Sequence, residues 1–281
     1  MAPRIVDAGQ VRLWSEELGD QEGAPIFLIM GANASAMGWP DEFVGLLLDG
    51  GHRVIRYDHR DTGQSTTVAD ATYDFADLTQ DALAVLDAHG VDSAHVVGVS
   101  MGGLIGQLLA VDHPERVRTL TLALTGALDM GSTEEAPDHG ERISRMIALA
   151  EPGADEQSEL DRRVALWREL HGDVLPFNAA EYRRLEERAI AHAGTFLPAT
   201  GHVRLGASTL PHGADDLREV DTPTLILQGS EDPFYPLGFG RHLAGLLPNA
   251  RLRELEGLGH SIPAVMHSVL AEAILDHVRE H

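Results

Sequence analysis

The chain gathers its apolar residues into short, nearly continuous runs. Residues 24–30 (APIFLIM), 52–58 (HRVIRYD), 93–99 (SAHVVGV), 117–124 (VRTLTLAL) and 222–229 (TPTLILQG) share this pattern, and residues 250–257 (ARLRELEG) form a more polar version. Runs of this length bounded by glycine or charge predict strands buried on both faces. Residues 4–18 alternate loosely and predict an opening hairpin or pair of short strands. Between the runs the apolar period changes to that of a helix. Residues 41–51 end in Gly-Gly, 75–90 end in glycine, 102–114 stop at Pro114, 239–248 stop at Pro248, and 268–278 follow the last run. Each stop is a helix terminator. Strand and helix in alternation, with fully apolar strands, predict an α/β protein built on a doubly wound, mostly parallel sheet covered on both faces.

The alternation breaks between about residues 126 and 220. Residues 140–151, 159–172 and 179–194 each carry apolar positions at helical spacing beside a charged face. An interruption of about 95 residues far exceeds the roughly 2–6 expected of a connection in an α/β unit. The expected organisation is a core of residues 1–125 and 221–281 with a helical cap, residues 126–220, over the carboxyl end of the sheet.

At the end of the 93–99 run the chain reads Gly98-Val99-Ser100-Met101-Gly102. This G-x-S-x-G pattern follows a buried strand and opens a helix, the context in which the serine occupies a strained turn and the glycines let neighbouring backbone pass. A serine that only capped the helix would not need glycine on both sides. A serine hydroxyl is a weak nucleophile at neutral pH and needs a base, which in turn needs an orienting carboxylate. Both belong at the ends of later strands, in the order serine, acid, histidine. Asp232 lies just past the 222–229 run, and His260 lies just past the 250–257 run in a glycine-rich loop. Asp129, after the strand that follows the serine helix, and Glu231, adjacent to Asp232, are rival acids. His113, His139, His171, His192 and His277 are read as surface or helix-end histidines.

Backbone N–H groups at Met101, after the serine, and at Ala32, in the loop opened by Gly31, are positioned to bind an oxyanion. Asn33 in the same loop is either a turn former or a further contact. The stretch 57–66 (YDHRDTGQST) contains Asp58, His59 and Asp61, but nothing places them on one face. It reads as a structural loop in which Arg60 ties carboxylates or carbonyls together, not as a metal site.

Composition narrows the classes further. The 281 residues are 43% hydrophobic and 23% charged, ordinary values for a globular protein with ample core material. With 21 Lys and Arg against 44 Asp and Glu, the formal charge of −23 disfavours nucleic acid and anionic membranes as partners. No apolar run approaches the roughly 18–20 residues of a membrane span, and the first residues do not read as a secretion signal. The absence of cysteine excludes disulfides, thiolate metal sites and a cysteine nucleophile, and fits a cytoplasmic protein. No nucleotide-binding glycine loop is present.

Taken together, the G-V-S-M-G elbow, Y-D-H-R-D-T-G-Q-S, G-S-E-D-P and G-L-G-H resemble the α/β-hydrolase superfamily with a helical cap, and the resemblance spans the chain. More narrowly, MGANASAMGWPDEF, VIRYDHRDTG and HVVGVSMG are similar to the anthracycline-tailoring methylesterases of actinomycetes, of the aclacinomycin methylesterase kind. That resemblance implies Ser100, Asp232 and His260 as the catalytic set, Met101 and Ala32 as oxyanion donors, and cleavage of a carbomethoxy ester on a polyketide, with no cofactor. Where the superfamily often has His-Gly or Gly-Gly, this chain has Gly31-Ala32. The expected partner is a small-molecule ester. Met130, Met146, Trp167, Phe177, Tyr182 and Phe196 in the cap, with Phe234 beside the acid, supply apolar surface of which part should face a bulky, flat substrate. Other chemistries on the same residues are lactone, thioester or carbon–carbon hydrolysis and cofactor-free perhydrolysis. A non-catalytic ligand-binding protein is the alternative from another class, and an intact serine–acid–histidine set argues against it.

Overall fold

The apolar runs become strands β1 (Arg4–Ala8), β2 (Val11–Leu18), β3 (Pro25–Ile29), β4 (Arg53–Tyr57), β5 (Ala94–Val99), β6 (Val117–Ala123), β7 (Thr224–Gly229) and β8 (Ala250–Leu255) in a computed structural model. The structure describes residues 3–68, 72–134, 140–207 and 210–281. Among these the strands form one sheet in the order β1-β2-β4-β3-β5-β6-β7-β8. The opening hairpin pairs antiparallel and joins β4 antiparallel, while β4, β3, β5, β6, β7 and β8 run parallel. β3, β5 and β7 are buried along their whole length, as their unbroken apolar runs require, whereas the polar β8 alternates exposed positions at the sheet edge.

Successive strand residues point to opposite faces, and this sorts the core into two layers. Phe27 and Ile29 pack with helices α2 (Phe75–Ala88), α3 (Met101–Asp112) and α8 (Leu237–Leu246) on one face. Ile26 and Leu28 pack with α1 (Asp41–Asp49) and α9 (His267–Arg279) on the other. Local chemistry sets the helix ends. Asp74 and Asp77 form a capping box at the start of α2, and Gly90, with φ +65°, follows its end.

Between β6 and β7 lie α4 (Gly140–Ala148), α5 (Glu156–His171), α6 (Ala179–Ala193), a short 3-10 turn (Gly201–Ala207) and α7 (Ala214–Leu217). The last of these returns to the sheet: Leu217 and Val220 are buried in the same layer as α3 and α8. Polar bonds fasten the long helices. Glu159, fully buried on α5, accepts from Arg162 at 2.6 and 2.7 Å, from Arg163 Nε at 2.7 Å and from Gly153 N–H at 2.8 Å. Arg163 continues to Glu186 on α6 at 2.9 Å and to Phe196 C=O at 2.8 Å. Arg188 on α6 donates to Met37 C=O and, at 2.7 Å, to Trp39 C=O, both in the loop after β3. No helix among the described residues is long and apolar enough to cross a membrane.

Burial alone would raise the Glu159 carboxyl, but the bonds from Arg162, Arg163 and Gly153 more than offset it and hold it down to about 2. Replacing this acceptor leaves two guanidinium groups without their shared carboxylate. Glu159→Ala is therefore expected to cost about 3–5 kcal/mol in a denaturant titration. A cost below about 1 kcal/mol would mean that the helices stay fastened without it.

Candidate active site

The strand order reverses at β3: the chain passes from β3 to β4 on one side, then crosses to β5 on the other. In sheets of this kind the loops that leave the two central strands diverge and open a crevice at their carboxyl ends. Ser100 stands there, between the end of β5 and the start of α3, with φ +55° and ψ −120°. A non-glycine residue in this conformation costs about 1–3 kcal/mol and persists only where its surroundings hold it. Backbone contact holds it here. A Cβ on Gly98 would lie 2.2 Å from Gly102 C=O, and one on Gly102 would lie 2.1 Å from Ile29 C=O, so no side chain fits at either position.

Three side chains from separate strand ends meet in one hydrogen-bonded row. Ser100 Oγ lies 3.0 Å from His260 Nε2, and His260 Nδ1 lies 2.8 Å from Asp232 Oδ2. Asp232 is fully buried, and its other oxygen accepts the N–H groups of Phe234 and Tyr235 at 2.8 and 2.9 Å. A carboxylate held on both oxygens keeps the imidazole in the Nδ1–H tautomer, leaving Nε2 to accept from the serine. The His260 N–H donates to Leu170 C=O at 2.7 Å, so the last turn of α5 anchors the histidine loop. Of the rival acids, Asp129 pairs with His242 at 3.0 Å, and Glu231 lies against Gly172.

Gly31 sits directly over the serine, where a Cβ would come within 3.3 Å of Ser100 Cβ. Ala32 is exposed, and Met101, the first residue of α3, is buried. Asn33 has φ +59° and exchanges hydrogen bonds with His202. The other candidate residues divide. Phe234 is 46% exposed and sets its ring edge-on to His260 at 5.1 Å. Trp167 bonds Glu186 at 2.6 Å, and with Asn33 it lines a cavity of about 800 Å³ between α6, residues 195–204 and the loops after β3 and β4. That cavity is not lined by Ser100 or His260; its wall begins at Asn33, one residue beyond Ala32. Tyr182 is 2% exposed, stacks between Trp167 and Phe177, and bonds His171 at 2.8 Å and Ser261 at 3.0 Å. Phe177 also meets His171 edge-on. Met130, 46% exposed with φ +54°, is in a turn beyond β6.

Several histidines depart from the sequence reading as surface groups. His171 and His277 are 1% exposed, and the largely buried His192 side chain, in the last turn of α6, bonds the buried Asp58 at 2.7 Å. Their helices bury them against other elements, which helix-end position alone does not reveal. His139 lies outside the described residues. In the loop after β4, Arg60 pairs with Asp81 at 2.7 and 2.8 Å. Asp58, His59 and Asp61 each serve different partners: Ala36 and Gln64 N–H, Met30 C=O, and Tyr73 OH with Val68 N–H. His202 was not singled out by the sequence, for it lies in a segment without periodicity.

Burial holds two of these imidazoles far below the usual value near 6.5. His59 is pushed down to about 3, with His202 adding to the effect, and His202 to about 4. Between roughly pH 6.5 and 4 the unfolded chain binds protons that the fold does not, so stability is full above that window and falls as pH drops through it. Each group contributes at most about 1.4 kcal/mol per pH unit, or about 2–4 °C in Tm. A Tm series by circular dichroism should fall from pH 6.5 to 4, less steeply in His202→Asn. An unchanged slope would show that His202 is not held neutral.

A family model described as the alpha/beta hydrolase fold matches residues 24–264. Rhodomycin D methylesterase DnrP of Streptomyces peucetius is 45% identical over 295 aligned positions, covering 99% of this chain and 99% of its own. A putative carbamate hydrolase, RutD of Variovorax paradoxus (strain S110), is 29% identical and covers 92% of each chain. Among solved structures, a meta-cleavage product hydrolase (CumD) from Pseudomonas fluorescens IP01 superposes with a TM-score of 0.77 at 20% identity, over 99% of this chain and 97% of that one, a likeness of fold. Matched along most of its length by the family model, the chain is a hydrolase of the alpha/beta hydrolase fold family.

Proposed function

We propose that this protein is a serine carboxylic-ester hydrolase whose substrate is a bulky, flat, hydrophobic ester, a methyl ester of a polyketide of the anthracycline type. The observation that carries the reading is the row Ser100–His260–Asp232, with spacings of 3.0 and 2.8 Å and a fully buried acid. Ser100 Oγ attacks the ester carbonyl as His260 Nε2 takes its proton, and Asp232 stabilises the imidazolium. The tetrahedral oxyanion is met by the N–H groups of Met101 and Ala32, each such donor being worth about 3–4 kcal/mol of barrier. His260 returns the proton to the departing alkoxide, methanol leaves, and the acyl group stays on Ser100. Water then attacks with His260 again as base, releasing the carboxylic acid and restoring the serine.

The cavity beside the oxyanion loop supports a large substrate. At about 800 Å³ it falls in the range that encloses a drug-sized molecule, and Trp167, Leu185, Ala189, Leu197 and Pro198 give it apolar wall. The end-to-end match to a rhodomycin D methylesterase supports the choice of ester. Arg163 and Glu186 on the same wall are already bonded to each other, so the wall offers polar edges without an unpaired charge between them.

The test is methanol release from a methyl ester on a tetracyclic anthraquinone, beside p-nitrophenyl acetate and butyrate. Ser100→Ala is expected to lower kcat by about 10⁴- to 10⁶-fold, and Asp232→Asn by about 10⁴-fold. Asp129→Ala should stay near the parent rate. Release from the short esters alone would remove the large substrate from the reading, and a Ser100→Ala protein as active as the parent would remove the nucleophile.

A further inference from the structure

Two buried histidines grip the chain on either side of Gly31-Ala32. Ahead of the pair, His59 Nε2 donates to Met30 C=O at 2.9 Å. Behind it, Asn33 N–H donates to His202 Nδ1 at 2.8 Å, and the Asn33 side-chain oxygen accepts the His202 backbone N–H at 3.2 Å. The other ring nitrogen, His202 Nε2, donates to Arg60 C=O at 3.0 Å. This set of bonds admits one protonation state. Nδ1 needs a lone pair to accept from Asn33, and Nε2 needs the hydrogen, so His202 is the neutral Nε2–H tautomer. Burial favours that state: His202 is 3% exposed, and its ring meets His59 edge-on at 5.5 Å and Tyr73 at 6.1 Å. The bond is made at a turn. Asn33 has φ +59°, a left-handed conformation that asparagine tolerates better than most side chains, and the two bonds to His202 fix its place there.

We propose that His202 is a positioning residue for the oxyanion loop: by accepting the Asn33 N–H it fixes the Ala32–Asn33 peptide and, through Ala32, the orientation of the adjoining Gly31–Ala32 peptide whose N–H is offered above Ser100. The inference rests on the ester-hydrolase reading and on Ala32 as a donor. An oxyanion donor lowers the barrier only if its direction is set before charge develops, because reorientation during the reaction costs what the bond returns. His202 reaches across from the helical insertion to do this, 169 positions along the chain from Asn33. Its neighbours Gly201 and Val203 line the cavity together with Asn33, so the wall around the bulky part of the substrate and the loop that meets its carbonyl share one hydrogen-bonded joint.

Two replacements separate the bonds of this ring. His202→Asn keeps an oxygen near the place of Nδ1, able to accept from Asn33. His202→Gln keeps an N–H near the place of Nε2, able to donate to Arg60, and loses the acceptor. The full chain and both variants, with His202→Ala, are assayed on p-nitrophenyl butyrate and on inhibition by butylboronic acid, which forms a tetrahedral adduct on a serine. The glutamine and alanine variants are expected to lose about 10- to 100-fold in kcat and a similar factor in boronate affinity, with KM within about twofold. The asparagine variant is expected to keep kcat within about threefold. Equal losses in the asparagine and glutamine variants, or a change in Tm without a change in kcat and boronate affinity, would overturn the proposal. If His202→Ala does not fold, the asparagine–glutamine pair decides alone, since each keeps one of the two bonds. A parent protein that neither hydrolyses the ester nor binds the boronate would overturn the ester-hydrolase reading itself, an outcome distinct from an active parent with indifferent variants.

Discussion

The whole carboxyl end of the sheet depends on one close approach, that of the first turn of α3 to the end of β3. At Gly102 the two backbones are so near that a methyl group would lie 2.1 Å from Ile29 C=O, and at Gly98 it would lie 2.2 Å from Gly102 C=O. With both neighbours pressed this closely, Ser100 is kept at φ +55°. The strain of such a residue, about 1–3 kcal/mol, is small beside the burial of α3, where Ile105 and Leu108 are wholly enclosed. The loop after β3 lies close by, with Gly31 over the serine.

The inserted helices are joined to the loops around the candidate site by polar bonds. The end of α5 gives Leu170 C=O to the His260 N–H, and Tyr182 on α6 links His171 to Ser261, the residue after that histidine. His192 on α6 bonds Asp58, and His202 bonds Asn33. The loops after β3, β4 and β8 are thus each tied to the insertion. Moving the helices away from the sheet would exchange the bonds of Asp58 and Tyr182 for bonds to water, a net loss of about 0.5–1.5 kcal/mol for each neutral bond and about 1.5–3 for one to a charge. The insertion therefore helps to set the geometry beneath it as well as to enclose the cavity.

Among the described residues, seven of the buried polar ones are histidines, and this is where local sequence is least informative. His59, His171, His202 and His277 are each 3% exposed or less. An imidazole is small, flat and able to donate and accept at once, so it fits beneath a helix as readily as on its surface. Which of the two occurs depends on what the folded chain lays across it. The aromatic residues of the insertion behave similarly. Trp167 and Tyr182 are stacked on one another, yet one lines the cavity and the other is closed off with its hydroxyl bonded at both ends.

Short-range rules were enough for a large part of this protein. Unbroken apolar runs specify strands buried on both faces, the change of period and the glycine or proline stops specify the helices, and glycine on both sides of Ser100 marks a turn that no capping serine needs. The order of Ser100, Asp232 and His260, each just past a strand, follows from the same patterns. What the tertiary structure alone decided is which groups meet across long stretches of chain. That His260 faces Asp232 and not Asp129 depends on how β7 and β8 lie beside β6, and that His202 holds Asn33 depends on where an irregular segment comes to rest. Periodicity records the solvent on each side of a residue, and a hydrogen bond between groups 169 positions apart leaves no local mark. It exists only once the sheet and the helices above it have fixed the distance.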